Sequence, residues 1–205
     1  MESNLTPWHV LESSMSYEDR WLRVRTDICK TAQGRVIESY HVIENPEWVN
    51  ILALTATGQV ITVREYRHGA GQILRGLPGG VVEAWDQSPL AAMQRELLEE
   101  TGYGGGQFFE VGHSYPNAGN QNNILWSFLA INVVQSQKQQ LDETENIEIV
   151  LQDFGDFSRQ AWNGEMPLQA LYLATLGLAE HFILRSSLPQ LDAVRRMFFR
   201  MKETC

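Results

Sequence analysis

The chain is short of positive charge. Its 16 Lys and Arg stand against 25 Asp and Glu, a formal net charge of −9 at pH 7. A protein that holds a nucleic-acid backbone needs a net positive face, so no nucleic-acid partner is expected. Cysteine is scarce as well, with only Cys29 and Cys205. Their separation fits neither a zinc-ligand spacing nor a redox CxxC, and two free thiols in a reducing cytoplasm are expected. No Lys or Arg precedes Arg20. A secretory leader needs a basic start and an apolar stretch, so export is not expected. The longest apolar run, Leu171 to Ala179, falls far below the roughly 18 residues that cross a bilayer, which excludes a membrane-spanning helix. No fixed-period repeat is visible.

What is present is an ordinary globular composition, 43% hydrophobic and 20% charged. A chain of 205 residues buries a sizeable core without disulfides or metals to staple it. Residues 20–31 and 35–44 carry β-branched and aromatic residues in near alternation around Gln33-Gly34, which predicts a hairpin. Val49–Thr57 and Gln59–Tyr66 are apolar without clean alternation, the pattern of strands covered on both faces. A strand is predicted over 72–77, then a helix over Pro89–Thr101 closed by Gly102. Strands follow at 108–115, 124–134 and 147–152, and helices at 156–163, 168–184 and about 188–202. Strands, one central helix, more strands and then helices make an α+β, layered domain.

The informative segment is 78–103. Glu96 and Glu100 stand four apart on the central helix and share one face, with Glu99 beside them. Three like charges there repel each other, and a divalent cation turns that repulsion into binding. Carboxylate oxygens are what Mg²⁺ prefers, with Mn²⁺ a possible substitute. Pro78-Gly79-Gly80 precedes the helix, where glycines let the backbone approach a ligand closely. Glu83 adds a further acid.

Gly80 and the run Arg95-Glu96-Leu97-Leu98-Glu99-Glu100-Thr101-Gly102-Tyr103 resemble the Nudix box, G-x5-E-x7-R-E-U-x-E-E-x-G-U, U being aliphatic or aromatic. The second half matches at every specified position. The first half departs from the pattern: Asp86 stands for its glutamate, eight residues rather than seven separate Asp86 from Arg95, and Trp85 stands where relatives often carry Gly. Arg20–Arg25, Gly34–Ile37, Glu47–Asn50 and Val63–Gly69 are similar to ADP-ribose pyrophosphatase-type members, over about residues 8–180.

The resemblance implies a Nudix fold, a mixed sheet between helices in an α/β/α arrangement, with a small N-terminal β-subdomain. It implies domains at 1–45 (dimerisation), 46–185 (Nudix hydrolase) and 186–205 (C-terminal helical extension), and a homodimer. The implied reaction is Mg²⁺-dependent hydrolysis of a nucleoside diphosphate sugar, ADP-ribose foremost. Glu96, Glu100, Glu99 and the Gly79 carbonyl are the implied metal ligands. Arg95, which its position points away from the metal face, pairs by resemblance with a box carboxylate and fixes its rotamer. Relatives place a general base on a loop after the box; Glu143 matches best, with Glu145 in reserve. The polar loop 116–123 could also border the site, but it contains no acid. Arg64 and Arg67 suit a diphosphate as guanidinium forks. Trp48 suits stacking on a base or ribose. Glu83 completes the candidate substrate contacts. The alternative is a non-catalytic Nudix-fold module that binds a nucleotide, motivated by the altered first half of the box.

Overall fold

The computed structural model describes residues 5–202, with side chains from Leu5 to Met197. The expectations for Cys205 and for Met1–Asn4 lie outside the described residues. The fold divides into two compact units: residues up to Glu47 together with Tyr115–Ile124, and Trp48–Ser114 together with the chain from Leu125 onward.

The first unit is an antiparallel sheet in the order β1-β2-β3, from β1 (His9–Glu18), β2 (Arg23–Lys30) and β3 (Val36–Ile43). β2 and β3 form the expected hairpin. Its turn closes with Gly34 N donating to Thr31 O at 2.9 Å, and Gly34 sits at φ 83°. β1 was not expected, because its mixture of polar and apolar residues shows no periodicity; all ten are exposed. The loop 115–124 belongs to this unit. Ile43 N donates to Asn120 O at 2.8 Å, and Asn45 N donates to the Asn122 side chain at 3.1 Å.

The second unit holds an eight-stranded sheet of β4 (Trp48–Thr55), β5 (Gln59–Arg67), β6 (Gln72–Gly76), β7 (Gly79–Val81), β8 (Tyr103–Gly104), β9 (Gln107–Ser114), β10 (Leu125–Gln135) and β11 (Ile147–Asp153). Its main path runs β11-β5-β4-β10-β8, with β6 on β5, β7 on β4 and β9 on β10. β4 and β10 are parallel and the other pairs antiparallel, so the sheet is mixed. The helices are α1 (Pro89–Thr101), α2 (Phe154–Trp162), α3 (Ala170–Arg185) and α4 (Asp192–Lys202).

Successive strand residues face opposite sides of a sheet, and β4 is apolar on both. Val49, Ile51 and Ala53 pack with Ala92, Met93 and Leu97 of α1. Leu52 and Leu54 pack with Phe157 of α2 and Leu176 of α3. The sheet is therefore a layer between helices. Each fully buried side chain of this size contributes about 1.5–3 kcal/mol. Leu191 and Val194 join the second cluster, so the segment after residue 186 packs on this unit.

Candidate active site

Helix α1 is held in place at both ends. Ser88 caps it, its hydroxyl accepting from Ala91 N at 3.1 Å, and Pro89 supplies a pre-set first turn. Gly102 ends it in the left-handed region at φ 71°, where a side chain would be strained. Met93 and Leu97 are fully buried against the sheet. The carboxylates on the neighbouring stripe are thus carried by a fixed scaffold.

Glu100 lies buried at the contact between α1 and the glycine strand β7. Its Oε2 accepts from Gly79 N at 3.0 Å. Burial drives its pKa well above the ordinary glutamate range, against that hydrogen bond, and the charges of Glu96, Glu65 and Glu145 push the same way. The Arg67 charge also reaches Glu100. The glycines have a steric reason. A Cβ on Gly79 would collide with Asn50 and the Val49 carbonyl, and one on Gly80 would collide with the Glu96 carboxylate.

Arg95 does not point away from the acids, and the sequence expectation is corrected here. Its Nη1 donates to Glu96 and to Glu99, each at 3.0 Å. Its Nε and Nη2 donate to Asp86 at 3.2 and 2.9 Å, and Nη2 also reaches Val81 O at 3.1 Å. A helical wheel gives the direction of Cβ, whereas a long guanidinium bends back toward whichever acids lie nearest. The hydrogen bonds with Asp86 are the main reason Arg95 is held above the usual guanidinium range, and the same bonds hold Asp86 below the usual carboxylate range. Burial raises Glu96, with Arg95 opposing.

The unusual loop acid therefore engages Arg95 despite its short side chain. Glu83 takes part through its backbone: its N–H donates to Asp86 Oδ2 at 2.9 Å, and its carbonyl accepts from Asp86 N at 3.0 Å.

Beside Gly79 and Gly80 opens a cavity of about 310 Å³, lined also by Trp48, Asn50, Arg67 and Tyr172. Arg67 is held by Glu65 at 2.5 Å and by the Tyr172 hydroxyl at 2.9 Å. Gln169 donates to the same hydroxyl at 3.3 Å. Arg64 is not brought to this cavity. It pairs with Glu148 at 3.0 Å and lines a different one. Arg64 and Arg67 are an odd number of residues apart on β5, and alternation sends such residues to opposite faces.

Two glutamines tie the loop before β11 to α1. Gln139 donates to Glu100 O at 2.6 Å, and Gln140 N donates to Glu99 O at 2.9 Å. Glu143 is exposed on this loop. Glu145 accepts from Asp142 N at 3.1 Å, and its charge bears on Glu100 and Glu65.

Among the described residues, no three acidic, histidine or cysteine side chains converge closely enough to enclose an ion. Arg95 engages Glu96 and Glu99, and the Gly79 amide engages Glu100. The donor chemistry nonetheless fits a hard divalent cation. A buried carboxylate surrounded by other acids is costly without one, and all the donors are oxygen. The Gly80 position, kept clear of a Cβ, leaves the Glu96 carboxylate room beside the backbone.

Glu65, Asn50, Gln139, Gln169 and Tyr172 were missed from the sequence. Asn50 offered a signal, a single amide inside an apolar strand. Tyr172 offered none, since it sits in an apolar helix 105 residues from Arg67.

The NUDIX domain model matches residues 45–169, and the model of the nucleoside diphosphate sugar hydrolase N-terminal domain matches residues 8–43. The chain is 31% identical over 110 residues to the ADP-ribose pyrophosphatase of Bacillus subtilis (strain 168), an alignment covering 53% of this chain and 59% of that protein. The chain thus matches less than two thirds of the length of that curated relative. A crystal structure of an ADP compounds hydrolase superposes with a TM-score of 0.77 at 18% identity, over 89% of this chain and 97% of the other, which shows a shared fold. With the NUDIX model spanning more than half of its residues, and the glycine strand and acidic helix in place, the chain belongs to the Nudix family.

Proposed function

We propose that this protein hydrolyses the pyrophosphate bond of a nucleoside diphosphate sugar, with ADP-ribose giving AMP and ribose 5-phosphate. One observation carries the reading: the acidic face of α1 meets the glycine strand beside a cavity that Arg67 lines. The relatives named above support the substrate class.

In this reading Glu96 and Glu100 hold Mg²⁺, with Glu99 and the Gly79 carbonyl completing the protein donors and Mn²⁺ able to substitute. Bound there, the ion would neutralise the diphosphate charge and lower the pKa of a bound water. The rest falls to the chain. Arg95 and Asp86 keep the carboxylates ordered before substrate arrives. Arg67, steadied by Glu65 and Tyr172, meets a phosphoryl group with its planar fork. Trp48 offers an apolar face to the nucleoside or sugar. A loop acid takes the proton of the attacking water. The water oxygen bonds to one phosphorus, the bridging P–O bond breaks, and the other phosphate leaves with the electron pair. Glu143 and Glu145 are the candidates, and the electrostatic link to Glu100 supports Glu145.

The altered first half of the box, with Asp86, Trp85 and an extra residue, motivates the non-catalytic alternative; the Asp86–Arg95 pair supports the catalytic reading instead. The proposal takes the enzyme as a cytoplasmic homodimer; Cys29, a buried free thiol, suits a reducing compartment.

The test is a panel of nucleoside diphosphate-linked compounds with Mg²⁺ and Mn²⁺. Turnover of ADP-ribose to AMP is expected, together with its loss in a folded Glu100→Gln variant. Nucleotide binding without turnover across the whole panel would sink the proposal.

A further inference from the structure

A second cavity, about 420 Å³, shares no residue with the candidate active site. Arg64, Arg75, Gln160, Glu165 and Met166 are on its wall. Arg64 on β5 and Arg75 on β6 are direct register partners. Like charges placed opposite each other across two strands repel and destabilise the pair. On its other flank Arg64 faces Glu148, its partner on β11, and donates to it at 3.0 Å.

Arg75 has no such relief. Its Nη1 donates to the Gln152 amide oxygen and lies 3.9 Å from Met166 Sδ, both neutral groups. No carboxylate among the described residues pairs with it. The acid on the cavity wall, Glu165, is already engaged, with both oxygens accepting from Arg159 at 3.0 Å. Arg75 is half-buried, and burial together with the neighbouring Arg64 pulls it below the usual guanidinium range. The cavity therefore holds one cation in excess. The Nε and Nη2 edge of that cation bonds no acceptor among the described residues. A guanidinium edge of this kind matches two oxygens of a tetrahedral oxyanion.

We propose that Arg75 and Arg64 form a second anion site, separate from the candidate active site, that takes a phosphate or phosphomonoester group. The site answers a local charge imbalance and does not depend on the hydrolytic reading. The group is either free phosphate or the phosphoryl end of a sugar phosphate.

The experiment is calorimetric titration of the full chain, in metal-free buffer, with inorganic phosphate and with ribose 5-phosphate. Wild type, Arg75→Gln, Arg64→Gln and Arg67→Gln are compared after circular dichroism confirms that each is folded. The expected result is a phosphate isotherm that survives Arg67→Gln and weakens at least tenfold in Arg75→Gln, about 1.4 kcal/mol. Arg64→Gln is expected to weaken it as well, and decides the matter if Arg75→Gln fails to fold. Tighter binding of the sugar phosphate identifies a phosphomonoester ligand, and equal binding identifies free phosphate. An isotherm lost in Arg67→Gln but unmoved by the Arg75 and Arg64 changes, or no heat at millimolar ligand, overturns the proposal.

Discussion

Arg95 shows how much one side chain organises. A single guanidinium engages three carboxylates and a carbonyl, and Asp86 is its strongest partner. Removing that partner leaves the cation under-neutralised at a partly buried place. Asp86→Ala is expected to lower stability by about 1–3 kcal/mol in urea denaturation, less than for a fully buried pair because Arg95 keeps some contact with water. Far from this cluster, Glu180 on α3 accepts from Ser158 Oγ at 2.5 Å and Trp162 Nε1 at 2.9 Å. Burial nonetheless raises its pKa above the ordinary glutamate range. An acid raised on folding binds more protons folded than unfolded. Its contribution is fully present below the unfolded pKa and is lost as pH rises through the folded one. Melting temperatures of Glu180→Gln and wild type, compared between about pH 5 and 8, are therefore expected to diverge in favour of the variant as pH rises. Unchanged spacing across that range would show that Glu180 does not titrate there. Single residues were also where the sequence was least legible. Glu96, Glu99 and Glu100 were readable because they lie on one helix. Glu65 shares a strand face with Arg67 two residues on, but Tyr172 meets Arg67 through tertiary packing, which no local pattern encodes.

At the scale of elements the sequence was far more legible, because capping and periodicity are local. Pro89 and Gly102 mark the two ends of α1, and the structure starts and stops the helix there. β4, apolar on both faces apart from Asn50, is buried on both, and two separate clusters receive it. Short β7 was not legible as a strand, yet it is the element that meets the acidic helix. Its two glycines make opposite predictions. Gly79→Ala drives a Cβ into backbone and into Asn50, which cannot move without shifting β4, so a loss of about 1–3 kcal/mol in stability is expected along with turnover. Gly80→Ala meets only the end of the Glu96 side chain, which can swing aside. Thermal stability is then expected to stay close to wild type while kcat for ADP-ribose falls at least tenfold. Equal losses of stability in the two variants would contradict this account of β7.

The whole molecule poses a question that the separate elements do not. β1 is an edge strand, and every one of its ten residues is exposed. Val10, Leu11, Met15 and Tyr17 lie on it, and Trp8 and Trp21 beyond its two ends are exposed as well. An uncovered edge with apolar side chains is an aggregation liability that proteins normally cover or blunt. A net charge of −9 opposes indiscriminate association but does not cover the strand. The proposed homodimer through residues 1–45 would bury this surface with a second copy. Light scattering at micromolar concentration is expected to give twice the 23.3 kDa chain mass. Replacing Leu11 and Met15 by Lys places like charges on the shared strand, and it is expected to shift that mass toward the single chain. The same substitutions should leave the second unit folded, since neither residue contributes to its two clusters. A single-chain mass for the unmodified protein would leave the exposed strand without its cover and would end the dimer proposal.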